Sequence, residues 1–279
     1  MNPIIRRSQI ACMNMHYKRY SLDYFLNSVQ RIGYESVAFW GGPPHFSLDS
    51  AGYEDTKALR KKFVKHGLSC TCFTAPALLP PNQFAIDMHE HIEDTYRYFA
   101  NGVRAASELG ATVMIANSGY GLKTCSREDA WARSRDMLRR ISEFAVDYDV
   151  TLTVESLRPA ETNLVVTLED TRRMFDEVNH PNFKVMIDTT AIGVSGESVW
   201  DWFEVFGNEI KNTHFIDGTP FGHLAWGDGS YPLDDMLRCF NHYNYKGPLG
   251  LEITAGQYLN DPSAASLKAF RNLIRYAGD

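Results

Sequence analysis

Short apolar runs alternate with amphipathic stretches along the whole chain. Gln9-Ile-Ala-Cys-Met13, Glu35-Ser-Val-Ala-Phe-Trp40, Ser69-Cys-Thr-Cys-Phe-Thr74 and Thr112-Val-Met-Ile-Ala-Asn117 form the first four runs. Thr151-Leu-Thr-Val-Glu155, Phe183-Lys-Val-Met-Ile-Asp188, Ile210-Lys-Asn-Thr-His214 and Leu249-Gly-Leu-Glu252 form the last four. Between the runs, apolar positions recur at three- and four-residue steps, the period of one helix face. Leu22, Phe25, Leu26, Val29 and Ile32 make one such face, closed by Gly33, and a second helix lies near Asp55 to His66. The clearest carries Ile92, Tyr96, Phe99, Val103 and Ala106 and stops at Gly110. Another carries Met137, Leu138, Ile141, Phe144 and Tyr148, and the last runs from about Asp261 to Tyr276.

Near-continuous apolar strands alternating with amphipathic helices predict a parallel sheet covered by helices. Eight units without a break in composition favour closure into a single (β/α)8 barrel over an open doubly wound sheet, as one domain spanning residues 1–279. No GxGxxG follows the first strand and no GxxxxGK(S/T) occurs, so dinucleotide and P-loop readings lose support. There is no linker, internal repeat or low-complexity tract.

The last four runs end alike, in Glu155, Asp188, His214 and Glu252. Their spacings of 33, 26 and 38 residues each match one strand plus a crossover helix. In a barrel, the C-terminal ends of all strands converge on one mouth. An acid or imidazole closing a buried strand costs desolvation unless something compensates it, and four in register point to a shared cation. Taken singly, any of them could instead cap a helix or pair with Arg or Lys. Three carboxylates and one imidazole, with no thiolate, suit Mn²⁺, Mg²⁺ or Co²⁺ better than a structural zinc ion.

Composition narrows the partners. With 44% hydrophobic and 22% charged residues, the make-up is that of an ordinary soluble enzyme. A net charge of −6 argues against nucleic acid or an anionic membrane. No apolar stretch is long enough to span a bilayer, and Met1-Asn-Pro-Ile-Ile-Arg-Arg7 lacks a signal-peptide core. The five cysteines form neither an even disulfide set nor a CxxC motif, so a reducing cytoplasm is the expectation. Cys70 and Cys72 alternate along one run and are expected on one face of it as small core residues.

Glu155-Ser-Leu-Arg-Pro-Ala-Glu161-Thr-Asn163, Met-Ile-Asp188, Thr-His214-Phe-Ile-Asp217 and Leu-Glu252 resemble the sugar phosphate isomerase/epimerase superfamily of xylose isomerase-like barrels, which includes ketose 3-epimerases and hydroxypyruvate isomerase. Phe39-Trp40-Gly41-Gly42-Pro43-Pro44-His45-Phe46 and His223-Leu-Ala-Trp226-Gly227-Asp228-Gly229 resemble the fructoselysine 3-epimerase branch in particular. The likeness covers nearly the whole chain. It implies that Glu155, Asp188, His214 and Glu252 hold one divalent ion, usually Mn²⁺. It further implies that Glu155 and Glu252 are the catalytic pair, one removing and the other returning a proton at the carbon next to a ketone, through an ene-diolate held at the metal. The expected substrate is a ketose or a ketose-amine such as fructoselysine.

Psicose- and tagatose-type epimerases carry a His three residues after the Asp ligand and an Arg six after the His ligand. Here those positions are Ala191 and Pro220, which turns the expectation away from simple free hexuloses. Glu161 matches the family's second glutamate and is expected at the substrate. Trp40, after which the chain turns at Gly41-Gly42, either stacks on a sugar face or belongs to the core. His45, His223, Trp226 and Asn117 are further candidate substrate contacts, each with a surface or core alternative. The apolar loop Ala75–Phe84 is expected to act as a lid or as part of a homo-oligomer interface. His89 and His91 stand only two apart, so they read as polar residues at a helix start rather than a metal pair. The loops after the seventh and eighth strands carry little positive charge, so an unphosphorylated sugar is expected. The alternatives are a metal-dependent lyase on a 3-keto sugar, an endonuclease IV-like enzyme (opposed by Ala191 and the acidic charge) and an inactive sugar-binding protein.

Overall fold

Eight strands close into a parallel barrel. They are β1 (Ile10–Met13), β2 (Ser36–Trp40), β3 (Ser69–Thr74), β4 (Val113–Asn117), β5 (Thr151–Glu155), β6 (Phe183–Asp188), β7 (Ile210–His214) and β8 (Leu249–Leu251). Each pairs with its sequence neighbour, and β8 pairs with β1 to complete the ring. The computed structural model describes residues 4–78, 81–219 and 221–278. Leu79 and Pro80 of the predicted loop, and Pro220, lie outside the described residues.

Side chains alternate between two layers, as the strand period of two requires. Leu152, Val154, Val185, Ile187, Leu249 and Leu251 point outward into the large core beneath the helices. Ala11, Met13, Ala38, Cys72, Val113, Ile115 and Met186 fill the barrel itself. Two bulges adjust this register. Val185 pairs with Ile210 but Met186 with Asn212, which leaves Lys211 unopposed and brings Asp188 level with His214. Likewise Val37 pairs with Cys70 but Ala38 with Cys72. This corrects one expectation: the unopposed Thr71 breaks the alternation, so Cys70 packs in the outer layer and Cys72 inside the barrel.

The helices are α1 (Leu22–Ile32), α2 (Thr56–Lys65), α3 (Ile92–Leu109), α4 (Arg127–Val146), α5 (Leu168–Val178), a short α6 (Thr189–Val194), α7 (Val199–Phe206), α8 (Leu233–His242) and α9 (Pro262–Leu273). Ser21, Asp55, Ser126, Thr167, Ser198 and Asp261 each accept a hydrogen bond from an otherwise orphaned first-turn N–H and so fix where a helix begins. His89–His91 form a 3-10 turn leading into α3, as their spacing predicted. Among the described residues no helix is long and apolar enough to cross a membrane.

Candidate metal centre and active site

Glu155, Asp188, His214 and Glu252 meet at the C-terminal mouth of the barrel, with one ligand atom from each lying within 4.8 Å of all the others. Three of them close strands in inward-facing positions, and Glu252 follows directly on β8. His214 Nδ1 is the hub, 2.6 Å from Glu155 Oε1, 3.4 Å from Glu252 Oε2 and 3.5 Å from Asp188 Oδ2. Asp188 serves two structures at once. Its Oδ1 accepts from Thr190 N at 2.7 Å and Ala191 N at 2.9 Å, capping α6, while Oδ2 faces the cluster. The helix-cap alternative therefore holds for one of its oxygens, and the other stays turned to the cluster.

The electrostatics follow from burial and crowding. Burial pushes the Glu155 carboxyl up to about 7, against the pull of His214. Burial would also raise Asp188 and Glu252, but the imidazoles of His223 and His214 overcome it, holding Asp188 at about 2 and Glu252 below its ordinary value. His214, which burial alone would lower, is held well above its ordinary value by Glu252 and Glu155. Three buried carboxylates thus share too little positive charge, the situation a divalent cation relieves. Three oxygens and one nitrogen without a thiolate suit such an ion. Cys72, the nearby thiol, is pushed up to about 11 by burial and stays protonated. The residues therefore fit a divalent metal.

A cavity of about 460 Å³ opens over the cluster, and Glu155, Asp188 and Glu252 line it. Of the predicted substrate contacts, Trp40, Asn117, Glu161 and His223 also line it. His223 Nδ1 lies 2.9 Å from Glu252 Oε2, and its Nε2 lies 3.9 Å from Asp188 Oδ2. Glu161 is held by Arg158 through two contacts, Nε to Oε2 at 2.9 Å and Nη2 to Oε1 at 2.7 Å.

Two expected contacts do not reach the cavity. Trp226 is 1% exposed, packs on Phe215 and donates its indole N–H to the Phe215 carbonyl at 2.9 Å, so it is core. His45 is buried, with Nε2 on the Tyr20 carbonyl at 2.9 Å and Nδ1 accepting from Asn14 Nδ2 at 3.0 Å. Asn14 in turn clamps the Trp40 backbone, accepting from its N–H at 2.7 Å and donating to its carbonyl at 3.0 Å. His45 thus supports the wall of the site from behind. The apolar loop contributes Ala75, Pro76, Ala77, Leu78 and Asn82 to the cavity wall, and Phe84 anchors it by stacking on Phe99 at 3.9 Å.

Two further residues of the site, Arg158 and Asp217, carry no mark of their roles in the sequence pattern. Arg158 lines the cavity three residues after Glu155, a position whose loop conformation no pattern discloses. Asp217, 3% exposed, accepts from the backbone N–H groups of Gly218, Gly227, Gly229 and Tyr231 at 2.8–3.1 Å and ties down the loop carrying His223. A Cβ on Gly229 would collide with the Asp217 carboxylate, which explains the glycine. Hydrogen bonds to a charged group are worth about 1.5–3 kcal/mol each, so Asp217→Ala is expected to destabilise the protein by about 3 kcal/mol or more. Denaturant unfolding measures this, and an unchanged midpoint would show that the knot contributes nothing.

Residues 26–275 match the family described as xylose isomerase-like TIM barrel. Fructoselysine 3-epimerase of Shigella flexneri is 24% identical over 266 residues, covering 92% of this chain and 95% of that protein. Among solved structures, 3-keto-D-glucoside 4-epimerase from E. coli superposes with a TM-score of 0.80 at 15% identity, covering 96% of this chain and 99% of that one. An L-ribulose 3-epimerase gives 0.81 at 17% identity, covering 96% and 94%. The fold, the strand-end cluster and the family match agree: this chain belongs to the xylose isomerase-like TIM-barrel family.

Proposed function

We propose that this protein is a divalent-metal-dependent sugar epimerase or isomerase, moving a proton at the carbon next to the ketone of a ketose or ketose-amine. The observation that carries the reading is the convergence of Glu155, Asp188, His214 and Glu252 at the barrel mouth, with the three carboxylates lining a substrate-sized cavity. Similarity to fructoselysine 3-epimerase over nearly the whole chain supports the reaction class.

Glu155, Asp188, His214 and Glu252 hold the ion, with Mn²⁺ favoured and Mg²⁺ or Co²⁺ as alternatives. When bound, such an ion supplies Lewis acidity that makes the carbon-bound proton of a neighbouring ketose removable. The proton itself is carried by Glu155 and Glu252, one taking it and the other returning it on the opposite face. Both reach the cavity, as that work requires. Asp188 is assigned to the ion alone, its other oxygen capping α6. His214 holds Glu155 by a hydrogen bond at 2.6 Å, and His223 Nδ1 stands at ion-pair distance, 2.9 Å, from Glu252. Glu161, fixed by Arg158, and Asn117 line the cavity, which supports them as contacts for sugar hydroxyls. Arg158, the guanidinium in the described lining, is occupied by Glu161, which favours an unphosphorylated substrate.

Product analysis separates this from lyase chemistry. With Mn²⁺ present, a ketose panel should return interconverted sugars of unchanged composition. Release of an aglycone from an aryl 3-keto-glucoside, without epimer formation from any ketose, would move the assignment to a lyase.

A further inference from the structure

Charge divides the cavity into two halves. The charged residues of the described lining, Glu155, Arg158, Glu161, Asp188, His223 and Glu252, all close or follow β5 to β8. The lining from β1 to β4 and their loops has no charged side chain among the described residues; Met15, Trp40, Leu48, Pro76, Leu78 and Tyr98 stand there beside the neutral Thr74, Asn82 and Asn117. Its polar atoms are few and neutral, and Thr74 Oγ1 is buried there without a hydrogen-bond partner. Tyr98 donates its hydroxyl to the Pro76 carbonyl at 2.8 Å, and Asn117 Oδ1 accepts from Gly119 N at 2.9 Å. The Trp40 indole rests on the bare backbone of Gly42, where a Cβ would strike the ring, and Asn14 clamps its backbone with His45 behind. The result is a rigid aromatic wall, fixed before any ligand arrives, and such preorganisation removes an ordering cost from binding.

We propose that this half is a subsite for an uncharged apolar or aromatic group joined to the ketose. This rests on the proposed function and narrows it: the substrate is a neutral ketose conjugate rather than a free ketose or a zwitterionic lysine adduct. A cavity of about 460 Å³ equals the liquid volume of roughly fifteen waters, room for a ring-sized group beside a sugar. A lysine head would bring an ammonium and a carboxylate. The apolar half offers neither a partner, and on the polar half Arg158 and Glu161 already satisfy each other. Burying such charges unpaired is strongly unfavourable, whereas a phenyl group gains by leaving water.

The test is calorimetric titration of the Mn²⁺-loaded protein with D-fructose, 1-O-benzyl-D-fructose and fructoselysine. Deuterium exchange of each sugar is followed in parallel. The benzyl ether is expected to bind at least ten-fold more tightly than fructose, and more tightly than fructoselysine. Leu48→Lys, or Leu78→Glu if the first variant does not fold, should bring the benzyl-to-fructose affinity ratio close to one. Equal binding of fructose and its benzyl ether, or tighter binding of fructoselysine, overturns the subsite. If fructose still exchanges in that case, the epimerase reading survives. A benzyl preference that Leu48→Lys abolishes, with exchange in none of the sugars, supports the subsite and overturns the epimerase reading instead.

Discussion

Replacing Glu252 or Glu155 with Gln, in protein fully loaded with a divalent cation, is expected to reduce ketose epimerisation by about a hundred- to ten-thousand-fold, the usual worth of general acid–base catalysis. Glutamine keeps an oxygen that can ligate, so the substitution isolates proton transfer from metal binding. The two sites differ in surroundings. Glu155 sits against His214 with its carboxyl pushed up to about 7 by burial, while Glu252 is held low by His214 and His223 despite its burial. The variants should therefore fail differently. One is expected to retain deuterium exchange into a single epimer while losing interconversion, which identifies the face each carboxylate serves. Near-normal turnover by both fully metallated variants would end the two-carboxylate mechanism, with Glu161 or His223 the next base to test.

His214→Ala is expected to lose most bound metal while the barrel still folds. The parent should hold one divalent ion per chain. The imidazole is the hub of the ligand set, and its removal also leaves three buried carboxylates with less positive charge among them. Breaking a buried ion pair typically costs about 3–5 kcal/mol. Proton uptake by Glu155, already poised at about 7, offsets part of that cost. The layered core above and below the strands is untouched. Metal analysis of the folded variant decides the matter: unchanged stoichiometry would remove His214 from the ligand set.

The barrel was legible because its strands are buried on both faces and its helices on one, two patterns that differ in period. Glu155, Asp188, His214 and Glu252 were legible because each is a polar residue closing an apolar run, where topology alone decides what it meets. What the pattern could not reveal depends on single-residue register and on contacts distant in sequence. The bulge at Thr71 turns Cys72 inward, and the one at Lys211 levels Asp188 with His214; neither leaves a mark in an apolar run. Trp226 and His45 lie in loop motifs that suggest exposure, yet their polar atoms are taken by the Phe215 and Tyr20 carbonyls and by Asn14. Asp217, three residues past the end of β7, has no mark of its role in the sequence, and only the return of the chain at Gly227–Tyr231 shows what its carboxylate binds.

Proton exchange at carbon tests the central claim most directly. The purified protein, loaded with Mn²⁺, is incubated in D₂O with a panel of ketoses and ketose-amines, and the label is located by NMR. The account predicts deuterium at one carbon next to the ketone, in recovered sugar and in its epimer or isomer alike, and none when the metal is withheld. Interconversion without label from solvent, or labelling that persists undiminished without a divalent cation, would contradict it.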